Sequence, residues 1–231
     1  MPTTSPMNGR AGLDSTTPTN LPMTTTVRGA MAPTEIPSPS STSTAAFTFA
    51  AGTNGYVRIR TTGEAIQNGL QLARGEAVRR NTQIGFQLMS SVADDCLLSA
   101  PNTSISSDWV VSFDPPAGAC ATAPLNEAFR VNDAANNPPP RIIQVRPAAE
   151  GSRNVVVSAG QTQFTFNGLG RLLANPGGNP VPIDLTNPVA GACVAAAGQI
   201  RCLRVTVSPG GQIRLCDPAY PIGGSDPQRC Y

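Results

Sequence analysis

Apolar residues recur at Ile66, Leu70, Ala73 and Ala77, the spacing that lays one stripe along one face of a helix. Glu64, Gln67, Gln71, Arg74 and Arg79 take the wetter faces, so the pattern predicts an amphipathic helix over residues 60–84. Upstream, Ala46–Ala50 (AFTFA) and Tyr56–Arg60 (YVRIR) alternate and are expected to be short strands that cut the helix off. Downstream the period shortens to two. Strands are predicted at Gln83–Met89, Asp108–Asp114, Arg141–Val145, Asn154–Ser158, Gln163–Phe166 and Ile183–Leu185. In the first two, Ile84, Phe86 and Leu88 share a face, as do Trp109, Val111 and Phe113, with Trp109 read as a core anchor.

The last strand pair constrains its own register. Leu203, Val205 and Val207 alternate with polar neighbours, as do Ile213 and Leu215. A two-residue turn would set Val207 opposite Gln212 and mix the faces. A three-residue loop, Pro209-Gly210-Gly211, pairs Val207 with Ile213 and Val205 with Leu215, with Gly210 or Gly211 supplying a left-handed position. Arg204, Thr206 and Arg214 then share the other face. The expected fold class is α+β: one helix packed on antiparallel β-sheet, preceded by a disordered segment.

Composition shortens the usable chain. The first 45 residues are rich in Thr, Ser and Pro without apolar periodicity, too little to offset the entropy of ordering them. The expected division is a low-complexity segment at 1–55 and a globular domain at 56–231. No apolar run approaches bilayer length, and no charged start leads into a signal-type apolar stretch.

The chain has no His, and its sixteen basic residues are all Arg. Ser-His-Asp and Cys-His activation and His-ligated zinc are therefore excluded, and no lysine is present to complete a phosphate-binding loop. Gly168-Leu169-Gly170 is a glycine-rich fragment among strands, not at a helix start. Asp94, Asp95, Asp108, Asp114, Glu127 and Asp133 read as solvated loop carboxylates rather than as a calcium site or acid-base pair. No catalytic residue, metal or cofactor is expected. A net charge of +2 does not by itself imply a nucleic-acid partner.

The six cysteines contain no C-x-x-C clamp, and an even number in a strand-rich chain favours disulfides and an oxidising compartment. Among the many pairings, sequential closure is favoured: Cys96 with Cys120, Cys193 with Cys202, and Cys216 with Cys230. Free thiols in a cytosolic chain are the alternative. The arms flanking the middle pair, GACVAAAGQIRC, are expected to form a hairpin.

In order along the chain, NGLQLARGEAVRRNTQI, DWVVSFD, QFTFNGLGR and LRVTVSPGGQIRLCDP resemble the GspH/FimT family of minor pseudopilins and pilins. The resemblance covers roughly residues 57–231. It implies a pilin-like fold and a non-enzymatic role in assembling a type II secretion pseudopilus or a type IV pilus. It also implies pilin-subunit partners, with secreted cargo a further one, and an inner-membrane origin with the globular part in the periplasm. Family members carry a leader, a processing site and an apolar anchor helix where this chain has a Ser/Thr/Pro-rich string. Residues 1–55 are therefore expected to be a frameshifted or mispredicted start, to be checked by translating the upstream DNA in the other frames; the alternative is a genuine soluble variant with a disordered arm. The FimT branch also implies an alternative, DNA binding through a G-R-x-R motif. Here that motif falls on Gly211–Arg214, with Gln212 in place of the first Arg, and Arg201, Arg204, Arg214 and Arg229 are the candidate patch.

Overall fold

A computed structural model describes residues 44–231 except 94–95, 151–153, 174, 176–177, 222 and 231, with helix side chains described from Asn54. The compact unit that carries the fold runs from Ser41 to Tyr231. The expected disorder and mispredicted start lie, up to residue 43, outside the described residues.

One helix, α1 (Thr44–Arg80), precedes nine strands: β1 (Ile84–Met89), β2 (Asp108–Ser112), β3 (Ile142–Arg146), β4 (Val156–Ala159), β5 (Gln163–Phe166), β6 (Leu172–Leu173), β7 (Val181–Thr186), β8 (Leu203–Val207) and β9 (Ile213–Cys216). The strands make two antiparallel sheets, one ordered β3-β2-β1-β5-β6 and the other β4-β7-β8-β9. The α+β class with a helix on antiparallel sheets is as the sequence led us to expect.

The helix is the main correction. Both segments expected as upstream strands, 46–50 and 56–60, are helical. The period-two alternation of YVRIR is too short to outweigh a longer rhythm. Gly55, Ile59, Thr62, Ile66, Leu70, Ala73 and Ala77 repeat every three or four residues, and every one of them is buried. At its other end α1 stops at Arg80 rather than 84. Asn81 adopts a left-handed conformation (φ 48°), the Asn81 amide donates to Val78 O (3.2 Å) and the Thr82 amide to Ala77 O (3.1 Å). These are the two bonds of a Schellman cap, with Asn in the place Gly usually takes. Arg79 and Arg80 in the last turn complement the helix dipole.

The helix spans both sheets. Gly63 approaches Leu185 and Leu215 of the second sheet, and Gly69 approaches Phe86 and Trp109 of the first. A hypothetical Cβ on Gly69 would lie 2.8 Å from the Phe86 ring, so glycine sets how closely helix and sheet approach. Phe86, Phe164, Phe166, Trp109, Ile66 and Leu70 form the centre of the core.

β1 and β2 are buried on both faces, which the alternation reading did not anticipate. Behind the first sheet lies a second, smaller core of Met89, Val110, Ile142, Cys96 and Cys120. The β1–β2 and β2–β3 connections cover it, joined by the Cys96–Cys120 disulfide. Sequence reading also missed β6, a two-residue strand too short for periodicity to show.

The terminal pair has Val207 opposite Ile213 and Val205 opposite Leu215. Ser208 and Gln212 close the loop (amide to O, 2.9 Å), and Gly211 is the left-handed residue (φ 82°). The segment around the middle cysteines is not a hairpin. Its arms meet in a parallel bridge, Cys193 to Ile200, around a 3-10 turn at Val194–Ala196. An Ala/Gly run without strong β-formers cannot sustain a ladder, and the Cys193–Cys202 bond closes the loop instead.

The third disulfide, Cys216–Cys230, joins residues 14 apart and ties the tail to β9. Loop closure of this length stabilises by about 3 kcal/mol. We therefore expect the double variant Cys216→Ser/Cys230→Ser to lose that amount in chemical denaturation, with the circular dichroism of the sheets retained under native conditions.

Candidate interaction surface

The helix face turned from the sheets carries charge in pairs. Arg60 donates to Glu64 (2.8 Å) one turn on. At the C-terminal end a denser cluster forms, where Glu76 Oε2 accepts from Arg79 Nη2 (2.7 Å) and Arg80 Nε (2.8 Å). Glu127, from the β2–β3 connection, accepts from both arginines as well. The cluster thus pins that long connection to the helix end.

Burial pushes the Glu76 carboxyl up, but the hydrogen bonds from Arg79 and Arg80 outweigh it and hold the group below its ordinary value. A carboxylate whose folded pKa is depressed adds stability above its unfolded pKa and loses it as pH falls through the folded pKa. Glu76→Gln is therefore expected to flatten the acid limb of a stability-versus-pH curve, read by urea midpoints from neutral to acid pH.

The other carboxylates singled out in the sequence have structural partners. Asp108 accepts from the Ala148 amide (2.8 Å) and from Ser106 Oγ. Asp114 makes a two-bond pair with Arg141 (2.7 and 2.6 Å), which raises the Arg141 pKa further. Asp133 caps a turn through Asn136 and the Ala135 amide. Asp94 and Asp95 lie outside the described residues. Gly168-Leu169-Gly170 forms the β5–β6 turn, where Asn167 Oδ1 accepts from the Leu169 and Arg171 amides (3.0 Å each).

The four candidate DNA-contacting arginines gather around the second sheet and the tail. Arg204 and Arg214 stand on one face, diagonal across the β8–β9 ladder. Arg204 is held by Asp184 on β7 in a two-bond pair (2.7 and 3.0 Å). Arg201 pairs with buried Asp217 (3.2 Å) and lies over the Tyr220 ring at 4.8 Å. Its pKa is raised chiefly by the hydrogen bond to Tyr220. Arg214 Nη2 donates to Pro227 O (3.4 Å), and Arg229 donates to Gly224 O. Each of these cations is tied to the domain's own framework. Sequence reading located all four but could not show the strand pairing that sets Asp184 beside Arg204.

One long helix gripped by two antiparallel sheets, with a tail stapled by a disulfide, is the build of a pilin-like subunit, and the described surface carries paired charge. The chain belongs to the GspH family: the model of type II transport protein GspH matches residues 62–211. It is also similar to crystal structures of the type IV minor pilin FimU from Pseudomonas aeruginosa (strain PAO1). One is 16% identical with a TM-score of 0.40, covering 75% of this chain and 95% of that chain. A second crystal form gives 15%, 0.39, 74% and 99%. No curated protein matches the chain. Among the described residues, no helix is long and apolar enough to cross a membrane.

Proposed function

We propose that this protein is a non-enzymatic minor subunit of a type II secretion pseudopilus or a type IV pilus. It works in the periplasm at the inner membrane through contacts with other pilin-like subunits. The observation that carries the reading is the family match, which runs from the second half of the helix through β8. The paired side chains described above support a role in contact. The carboxylates described above are tied into ion pairs, turns and backbone amides. Co-purification of a tagged chain with the pseudopilins or minor pilins of its own genome tests the reading. Specific recovery of at least one such subunit is the expected result, and recovery of none overturns it.

The DNA-binding alternative is favoured by one observation, that Arg204 and Arg214 share a face. Phosphate affinity grows with the number of phosphates that cationic side chains neutralise, and here Asp184 already pairs Arg204. We therefore expect no retardation in a low-salt mobility-shift assay. Retardation that disappears in Arg204→Ala/Arg214→Ala would establish the alternative.

A further inference from the structure

We propose that Asn167 is a self-modifying site, where the Gly168 amide displaces ammonia from the carboxamide and leaves an aspartate or an isoaspartate. The inference stands independently of the assembly role. Asn-Gly occurs at residues 8–9, 54–55, 68–69 and 167–168, and the first of these lies outside the described residues. Gly55 and Gly69 sit inside α1, where the helix ladder engages each amide and fixes its geometry. Gly168 lies instead in the turn between β5 and β6.

The surroundings of that turn favour the reaction at each of its parts. Among the described residues the Gly168 amide donates to nothing, so the nucleophile is free. Glycine also leaves it unscreened, and a Cβ at 168 would stand 2.4 Å from Asn81 Oδ1. The Asn167 Oδ1 accepts from the Leu169 and Arg171 amides at 3.0 Å each. Two donors thus already face the oxygen on which negative charge develops when the carboxamide is attacked. Nδ2, the leaving group, donates to nothing among the described residues. The backbone is held as well. The Gly170 amide donates to Asn167 O (2.8 Å), and the Asn167 amide donates to Arg171 O (3.0 Å). Ring closure therefore joins groups whose relative orientation the fold has fixed.

The step needs only water. Gly168 N bonds to Asn167 Cγ, and its proton passes through solvent to the departing Nδ2, which leaves as ammonia. Water then opens the cyclic imide at one carbonyl to give aspartate, or at the other to give isoaspartate. Aspartate keeps both amide bonds and strengthens them with its charge. Isoaspartate instead lengthens the main chain by a carbon, close to where Gly170 O accepts from Arg74 Nε (3.1 Å) and abuts Gly211. That product loosens the point at which helix and both sheets meet.

The test incubates the full chain at mildly alkaline pH, folded in one arm and reduced in guanidinium in the other. Peptide mapping by mass spectrometry, with isoaspartate resolved chromatographically, follows each Asn-Gly pair. In guanidinium Asn54, Asn68 and Asn167 should react at similar rates. In the folded chain Asn167 should react about tenfold faster than either helical Asn, a fraction of the roughly hundredfold that one oriented oxyanion donor contributes. Its folded rate should also match or exceed its unfolded rate. Asn167→Gln, which would need a larger ring, should abolish modification at 167 with the circular dichroism unchanged. Asn167 reacting no faster than Asn54 and Asn68, or more slowly folded than unfolded, would overturn the proposal. The purified isoaspartate form should show a lower urea midpoint than the unmodified chain, whereas Asn167→Asp should not. Equal midpoints for all three would overturn the effect assigned to the lengthened turn.

Discussion

Phe86→Ala is expected to cost about 4 kcal/mol of unfolding free energy, within the usual range for emptying a buried aromatic site. Phe86 is fully buried between the helix and the first sheet. Its ring lies 5.4 Å from Trp109 and 6.2 Å, edge-on, from Phe164, and it meets the helix where Gly69 brings the backbone close. The cavity cannot collapse readily, because the helix is already at its closest approach on one side and β2 and β5 flank β1 on the others. Urea titration monitored by the single Trp reads the loss directly, since Trp109 is itself buried beside the deletion. Val78→Ala, on the exposed side of the same helix, should change stability by no more than about 0.5 kcal/mol. Comparable losses at both positions would mean the helix is not seated as described.

Gly211→Ala is the second large effect, roughly 3–5 kcal/mol, because strain and collision act together. Gly211 holds φ 82°, a conformation costly for any residue with a Cβ. A Cβ there would also stand 1.9 Å from the carbonyl oxygen of Gly170 in the β5–β6 turn. That oxygen accepts from Arg74 Nε of the helix (3.1 Å), and the nearby Leu172 amide donates to Pro209 O (3.1 Å). Turn, turn and helix therefore meet at one point, and none can give way alone. Gly210→Ala is the matched control. Its Cβ would find only Ser208 Oγ at 3.8 Å, so a change within about 0.5 kcal/mol is expected from the same titrations.

What could be read from the residues was the part governed by local alternation and by the three-to-four-residue stripe. The β8–β9 register followed from asking which loop keeps Val205, Val207, Ile213 and Leu215 on one side, and only Gly211's positive φ needed the structure to choose between two glycines. The helix start was misread because Val57 and Ile59 are two apart in a segment with strand-favouring side chains. Ile59 belongs to the stripe that Ile66 continues, whereas Val57 is exposed. The rear core was hidden for a different reason. Val110 and Met89 look like ordinary strand residues, and nothing local shows that a distant connection folds back to cover them. The candidate surface was legible as a set of arginines but not as a set of pairs. Asp184 with Arg204, and Glu127 with Arg79 and Arg80, are set by strand order and by a connection across 47 residues or more.

The order in which strands join the two sheets has a mechanical consequence. The chain lays down β1 to β3 in one sheet, crosses to the other for β4, returns for β5 and β6, and crosses again for β7 to β9. A single nick anywhere between β4 and β6 leaves each fragment without strands that its sheet requires. Neither piece is a module that could survive by itself, so the body should come apart in a single cooperative step.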